Sequence, residues 1–408
     1  MSRRAPDARN PEPCSSETYD VVSLIWPLMG PNRWPRRDDV GSDRAARFIW
    51  RRVRGLRGHW GQLTPTIGGD LDEGHRPVRS AVTPTNPPSA PPSWLSHYRL
   101  SLPDGHRVGV SIGGDGVPLV FLHGIALNKS VYLRFLSRLS ELNFRVIAID
   151  AAAHGHTAPL PEGPFGTRVD LTLRTLDALG VRQAVFVGHS MGGRMTIELA
   201  ARAPHRVLAA VLLDAAAGDQ FDARAAKSLA SPDVLVMGLL GGLYDTASDW
   251  RRCGWRDRRR YGVSLARAIA RWTLRPQQLA AAMRAVAGAS SSADMLHTAD
   301  DHGVTTIVVH GEDDLVVPWA NAESMAAHGH AALYKVPNAC HSWMIADPAR
   351  GAQIFAGLMR AELGQALQRA RAKFELRHGH AGGWESELLV AGGLAATLGS
   401  SPPGERAG

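Results

Sequence analysis

The chain has 408 residues, 44% hydrophobic and 21% charged, enough to bury a sizeable core in one large domain with extensions or in two or three smaller ones. Its net charge of +8 comes almost wholly from arginine, which permits contact with nucleic acid or anionic lipid but argues for neither. No apolar run reaches the roughly 18–20 residues of a membrane span. The N-terminus has no apolar signal core, and the scattered cysteines Cys14, Cys253 and Cys340 suggest neither a disulfide framework nor a zinc cluster, which fits a reducing, cytoplasmic compartment.

Residues 1–92 are rich in Arg, Pro, Gly and Trp and end in the linker-like TPTNPPSAPPS. They read as a largely disordered extension. Within them, DRAARFIWRRVRGLRGHW sets Ile49, Val53, Leu56 and Trp60 on one helical stripe and Arg47, Arg51 and Arg54 on another. Such a basic amphipathic helix is suited to weak contact with an anionic membrane surface.

From residue 93 to 365 the texture becomes that of a folded domain. HYRLSLPDGHRVGVSIGG predicts a hairpin turning at Pro103-Asp104-Gly105. PLVFLHG, FRVIAID, QAVFVG, RVLAAVLLD, TTIVVHG and ALYKVP read as strands. SVYLRFLSRLSEL, VDLTLRTLDALG and SMGGRMTIELAARAP read as helices between them. Continuous apolar strands alternating with helices predict an α/β fold, a mostly parallel sheet flanked by helices on both faces. The alternation lapses over residues 215–303, an Ala- and Arg-rich stretch containing the helical PQQLAAAMRAVAG. An insert of that length predicts a helical cap. Residues 366–408 read as a helix followed by a flexible tail.

The chemistry centres on AVFVGHSMGGRM. A β-branched run precedes GHSMG and a helical run follows it, the context of a serine mounted on a strand-to-helix turn. Gly188 and Gly192 are needed there because no Cβ fits beside so sharp a corner. The competing role for Ser190 is an ordinary helix N-cap. Serine needs a base, and the base needs a partner to hold its tautomer. VVHGEDDLVVP supplies Asp313 and Asp314 after one strand, and VPNACHSWMIADP supplies His341 after another. An oxyanion hole needs two backbone N–H groups. Met191, after the serine, offers one, and Ile125, in the loop after PLVFLHG, is the choice for the second. His123-Gly124 reads as a brace for that loop. His189 reads as a packing or hydrogen-bonding residue, and His154 and His156 lie on a loop at the pocket edge. HTADDH, residues 297–302, lacks strict ligand spacing, so no metal is assigned. No phosphate-cradling, dinucleotide or RNA-binding signature is present.

Taken together, LHG-I, DAAAHGHT, GHSMGG, HGEDDLVVP and the terminal His-Ser resemble the α/β-hydrolase superfamily over residues 94–365, and within it esterases and monoacylglycerol-type lipases. The resemblance implies an α/β-hydrolase fold with a helical cap insertion. It implies a catalytic triad of Ser190, Asp314 and His341 cleaving carboxylic esters without cofactor or metal. The family spacing favours Asp314 over Asp313, and a minority of members carry the acid one strand earlier, at Asp214. Ala152 and Ala153 stand where the family loop has Pro and Gly. A serine nucleophile argues against the epoxide-hydrolase and haloalkane-dehalogenase branches. Met237, Leu239, Leu240, Leu243, Tyr244 and Trp250 of the insert suggest an apolar acyl or ring-bearing small-molecule ester as substrate, or equally packing inside the cap, with no nucleic-acid partner and the oligomeric state left open. The alternatives are a C–C bond hydrolase of the same fold and a non-catalytic binding protein that has kept it.

Overall fold

The computed structural model describes residues 79–80, 95–161, 163–228, 275–379 and 383–390, with scattered positions between 245 and 274. The basic amphipathic stretch, the Pro-rich linker, residues 237–244 and the C-terminal tail lie outside the described residues.

Nine strands form one sheet: β1 (Arg79–Ser80), β2 (Ser96–Ser101), β3 (Arg107–Gly113), β4 (Val117–Leu122), β5 (Phe144–Ile149), β6 (Ala184–His189), β7 (Val207–Leu213), β8 (Thr306–Gly311) and β9 (Ala332–Val336). Their order is β1-β9-β8-β7-β6-β4-β5-β3-β2. The β2–β3 and β3–β5 pairs are antiparallel, and all others are parallel. The β2–β3 hairpin closes through Gly105 at φ +80°, with its N–H on the Leu102 carbonyl at 2.8 Å. β1 is a departure from the sequence reading: two residues of the extension pair in parallel with the β9 edge.

The strands are buried on both faces, and side-chain alternation splits the core in two. Leu119, Phe121, Val185 and Val187 face one cluster with Tyr132, Phe135 and Phe355. Val120, Leu122, Ala184 and Phe186 face the other, with Met191, Met195 and Leu199. The flanking helices are α1 (Leu133–Ser140), α2 (Gly166–Ala178) and α3 (Met191–Arg202), then α4 (Asp219–Ser228), α5 (Pro276–Ala287) and α6 (Ser292–Asp301) between β7 and β8. α7 (Trp319–His328), α8 (Trp343–Ala346), α9 (Pro348–Met359), α10 (Glu362–His378) and α11 (Trp384–Glu387) follow. α6 packs on α3 and α7, so this part of the 215–303 stretch belongs to the flank of the sheet. Among the described residues no helix is long and apolar enough to cross a membrane.

Candidate active site

Five loops leave the carboxyl ends of the neighbouring parallel strands β4, β6, β7, β8 and β9, the end at which ligands bind in open α/β sheets. Each carries one of the residues singled out from sequence.

Ser190 sits between β6 and α3 at φ +54° and ψ −117°. A non-glycine residue there is strained and persists only where its surroundings over-determine it. The Ser190 N–H donates to the Leu213 carbonyl at 3.0 Å, and its carbonyl accepts from Ala216 N–H at 2.9 Å. These bonds and the conformation are those of a corner rather than of a capping serine, and its side chain makes no cap hydrogen bond to α3. The glycines around it reflect contact distances. A Cβ on Gly188 would lie 2.2 Å from the Gly192 carbonyl oxygen, and one on Gly192 would lie 2.1 Å from that of Leu122. α3 therefore starts directly against the end of β4.

The loop after β4 is braced residue by residue. The Gly124 N–H donates to the Tyr132 hydroxyl at 3.3 Å, Ala126 N–H to His154 Nε2 at 3.3 Å, and Leu127 N–H to the Gly124 carbonyl at 3.3 Å. Ile125 is thus the residue of this run whose amide has no partner among the described residues. Met191 is the first residue of α3, where helical N–H groups have no intrahelical acceptor. His123 spans the β4 and β5 loops, with Nδ1–H on the Gly124 carbonyl at 2.8 Å and Nε2 accepting from Ala151 N–H at 2.9 Å.

The structure brings Asp314 and His341 together. His341 Nδ1 donates to Asp314 Oδ2 at 2.8 Å, and a carboxylate that can only accept assigns the proton to Nδ1. Nε2 is then the basic atom. Asp314 Oδ1 is itself fixed by the N–H groups of Val316 and Val317, both at 2.8 Å. Burial alone would lower the His341 pKa, but the Asp314 charge and hydrogen bond, then Asp245 and Asp249, hold it above the ordinary value. Burial likewise opposes ionisation of Asp314, and the charge of His341 overrides it, leaving the carboxyl below its usual range.

The two other acids considered for this role are placed elsewhere. Asp313 is exposed, with its N–H on the Ala339 carbonyl at 2.9 Å. Asp214 is fully buried and accepts from Gly311 N–H at 2.7 Å and from Trp343 Nε1–H at 2.6 Å. Burial, and then the charge of Asp314, push its pKa well up. Asp214, His310 and Asp314 bring ligand-type atoms within 4.8 Å of one another; each is hydrogen-bonded within the protein, with His310 Nδ1 left without a partner among the described residues. His310 Nε2–H donates to the Val317 carbonyl at 2.7 Å, so the trio acts as a buried brace.

Two further histidines are structural. His189 Nδ1 accepts from the Tyr132 hydroxyl at 2.7 Å, and its Nε2–H donates to the His341 carbonyl at 2.8 Å. Burial, then the His341 charge, push its pKa down to about 3, so it stays neutral. Tyr132 thereby links the loop after β4 to the Ser190 corner and, through His189, to the His341 loop. His154 Nδ1–H donates to the Ala152 carbonyl at 2.8 Å, and its ring meets Trp272 edge-on at 4.9 Å. Burial, then His123, lower its pKa to about 3. On its loop, His154 is a fully buried brace.

The loop DAAAHGHT is wound round Asp150. That carboxylate takes Lys129 Nζ at 2.6 Å, Lys129 N–H at 3.0 Å and His156 N–H at 2.9 Å. Ala153 adopts φ +65°, a left-handed position where glycine is the unstrained residue.

Sequence reasoning missed three contributions from the insert between β7 and β8. Trp272 Nε1–H donates to the Ala126 carbonyl at 2.8 Å, in the loop after β4. Asp245 accepts from His341 N–H and, at 3.3 Å, from Leu315 N–H. Asp249 accepts from Ser342 N–H at 2.7 Å. The signal available was the four-residue spacing of the two acids in DTASD, which aligns them on one helical face.

A serine at a strained corner, a histidine held by a buried acid, and backbone amides at the start of α3 and in the β4 loop are the groups that nucleophilic attack on a carbonyl requires. Comparison with known proteins agrees with this architecture. The family model of the alpha/beta hydrolase fold matches residues 117–249. A protein of Mycobacterium phage D29, provisionally named a non-heme haloperoxidase, is 41% identical over 278 residues, spanning 64% of this chain and 94% of that one. A non-heme chloroperoxidase of Kitasatospora aureofaciens is 29% identical over 248 residues, 58% of this chain and 86% of its own. The solved structure of an N-acyl homoserine lactone degrading enzyme superposes with a TM-score of 0.51 at 26% identity, covering 64% of this chain and 99% of its own. With the fold family matched over residues 117–249 and 41% identity along 94% of a relative, the chain belongs to the α/β-hydrolase family.

Proposed function

We propose that the protein is a serine hydrolase that cleaves carboxylic esters through an acyl-enzyme. The observation that carries this reading is the 2.8 Å Asp314–His341 pair, held with its basic Nε2 available at the end of the sheet where Ser190 occupies its strained corner. In this mechanism His341 Nε2 takes the Ser190 proton as Oγ attacks the ester carbonyl. Asp314 keeps the imidazole in the Nδ1–H tautomer and balances the imidazolium. The N–H groups of Met191 and Ile125 stabilise the oxyanion. His341 then gives its proton to the departing alcohol, and water, deprotonated by the same nitrogen, releases the acid.

The test is a panel of p-nitrophenyl esters of increasing acyl length, with labelling by a fluorophosphonate. Ser190→Ala is expected to abolish labelling and to lower kcat by several orders of magnitude, about 10⁴-fold or more. Wild-type turnover in that variant refutes the mechanism.

The haloperoxidase names among the relatives favour a second reading on the same residues. If hydrogen peroxide replaces water in attacking the acyl-enzyme, the product is a peroxy acid and Ser190 is regenerated. That peroxy acid oxidises a halide while returning to the carboxylic acid. Bromide oxidation that needs peroxide, a carboxylic acid and Ser190 together distinguishes this outcome.

A further inference from the structure

The insert between β7 and β8 sends two carboxylates to the backbone of the base loop. Asp245 and Asp249 are each only 1% exposed. Burying a carboxylate costs free energy unless its oxygens are hydrogen-bonded. Here their partners are main-chain amides of the site itself. Asp245 Oδ2 accepts from His341 N–H, its Oδ1 accepts from Leu315 N–H, and Asp249 Oδ2 accepts from Ser342 N–H. One side chain from the insert therefore joins the loop that carries the acid to the loop that carries the base.

We propose that Asp245, seconded by Asp249, is a positioning residue of the hydrolytic site. Its two hydrogen bonds clasp the Asp314 and His341 loops together and so fix the base. This rests on the serine-hydrolase reading above. The positioned group is the His341 imidazole. The charged and titratable groups that face it are Asp314 and His310 from β8 and its loop, His189 from the end of β6, and Asp245 and Asp249 from the insert; Asp214, after β7, faces Asp314. His189 and His310 are disfavoured as cations by burial, so the insert carboxylates are the groups besides Asp314 that raise the pKa of the base. Asp245 is pushed up to about 7 by burial and then by the Asp314 charge, and the base it faces is raised in turn by the Asp245 charge. Interacting groups of this kind lose protons in shared steps.

The experiment compares wild type with Asp245→Asn and Asp249→Asn in the full chain. The readouts are kcat and KM on a p-nitrophenyl ester across pH, and the NMR titration of the His341 imidazole. In Asp245→Asn, kcat is expected to fall by about 10- to 100-fold with KM little changed, as for a displaced catalytic group. Removing a negative charge beside the imidazole moves the acid limb of kcat/KM, and the His341 titration midpoint, to lower pH. Asp249→Asn moves both in the same direction and provides the test if the first variant fails to fold. A wild-type pH limb and His341 midpoint in these variants overturn the proposal, even where melting temperature drops, because a purely structural contact has that outcome. If wild type cleaves no ester and takes no fluorophosphonate, the serine-hydrolase reading fails, while the His341 titration still decides whether the insert acids govern the imidazole.

Discussion

Replacing Gly192 by alanine tests whether the approach of α3 to β4 sets the rate. The added Cβ would stand 2.1 Å from the Leu122 carbonyl oxygen, 2.4 Å from its carbon and 2.9 Å from the His123 carbonyl oxygen. Favourable carbon contacts begin near about 3.5 Å, so α3 has to retreat by about 1 Å or more from the end of β4. No flexible side chain can absorb this, since all three atoms are backbone. The retreat carries the Met191 N–H away from Ile125, widening the proposed oxyanion hole and tilting Ser190. Misplacement by about 1 Å costs on the order of 10²-fold in rate, and overpacking costs about 1–3 kcal/mol in stability. Kinetics on a short p-nitrophenyl ester, paired with thermal unfolding, measure both. Gly357→Ala is the control: its new Cβ meets nothing within 4 Å, so it keeps wild-type kcat and gains about 0.5–1 kcal/mol within α9. If Gly192→Ala retains wild-type kcat and melting temperature, the close approach does not hold the site.

The buried His154 gives a prediction with a definite sign. Its folded pKa, about 3, lies below its ordinary value near 6.5, so the folded state disfavours its protonation. Its stabilising contribution is full above about pH 6.5 and is lost as pH falls through the window toward 3. His154→Gln, which loses braces worth about 1–3 kcal/mol at pH 7.5, should therefore cost less at pH 5; denaturant unfolding at both values checks this, and an equal or larger cost at pH 5 contradicts it. Ala153→Gly relieves a left-handed alanine and should raise stability by up to about 1 kcal/mol, against the usual loss for glycine substitutions; a clear drop in melting temperature counts against strain at φ +65°.

The six apolar runs from PLVFLHG to ALYKVP were legible because a strand covered on both faces must be apolar throughout, and each is a strand of the sheet. The corner at Ser190 was legible for a related reason: a close backbone approach leaves glycine as its trace, and GHSMGG carries three. The edge strand Arg79–Ser80 was not, since two residues hold no periodicity. Asp313, Asp314 and Asp214 could not be ranked from residues alone. All three follow strands, and only the direction of each side chain separates them.

Local chemistry thus determined the elements, the corner at Ser190 and the strand-ending loops that carry Ile125, Asp314 and His341. Tertiary structure decided which carboxylate meets His341, that His154 is a buried brace, and that Asp245 and Asp249 reach the base loop across 96 and 93 residues of chain. Periodicity and turn residues encode what a segment does with its own backbone. A hydrogen bond between segments so far apart exists only once the sheet has set their loops side by side.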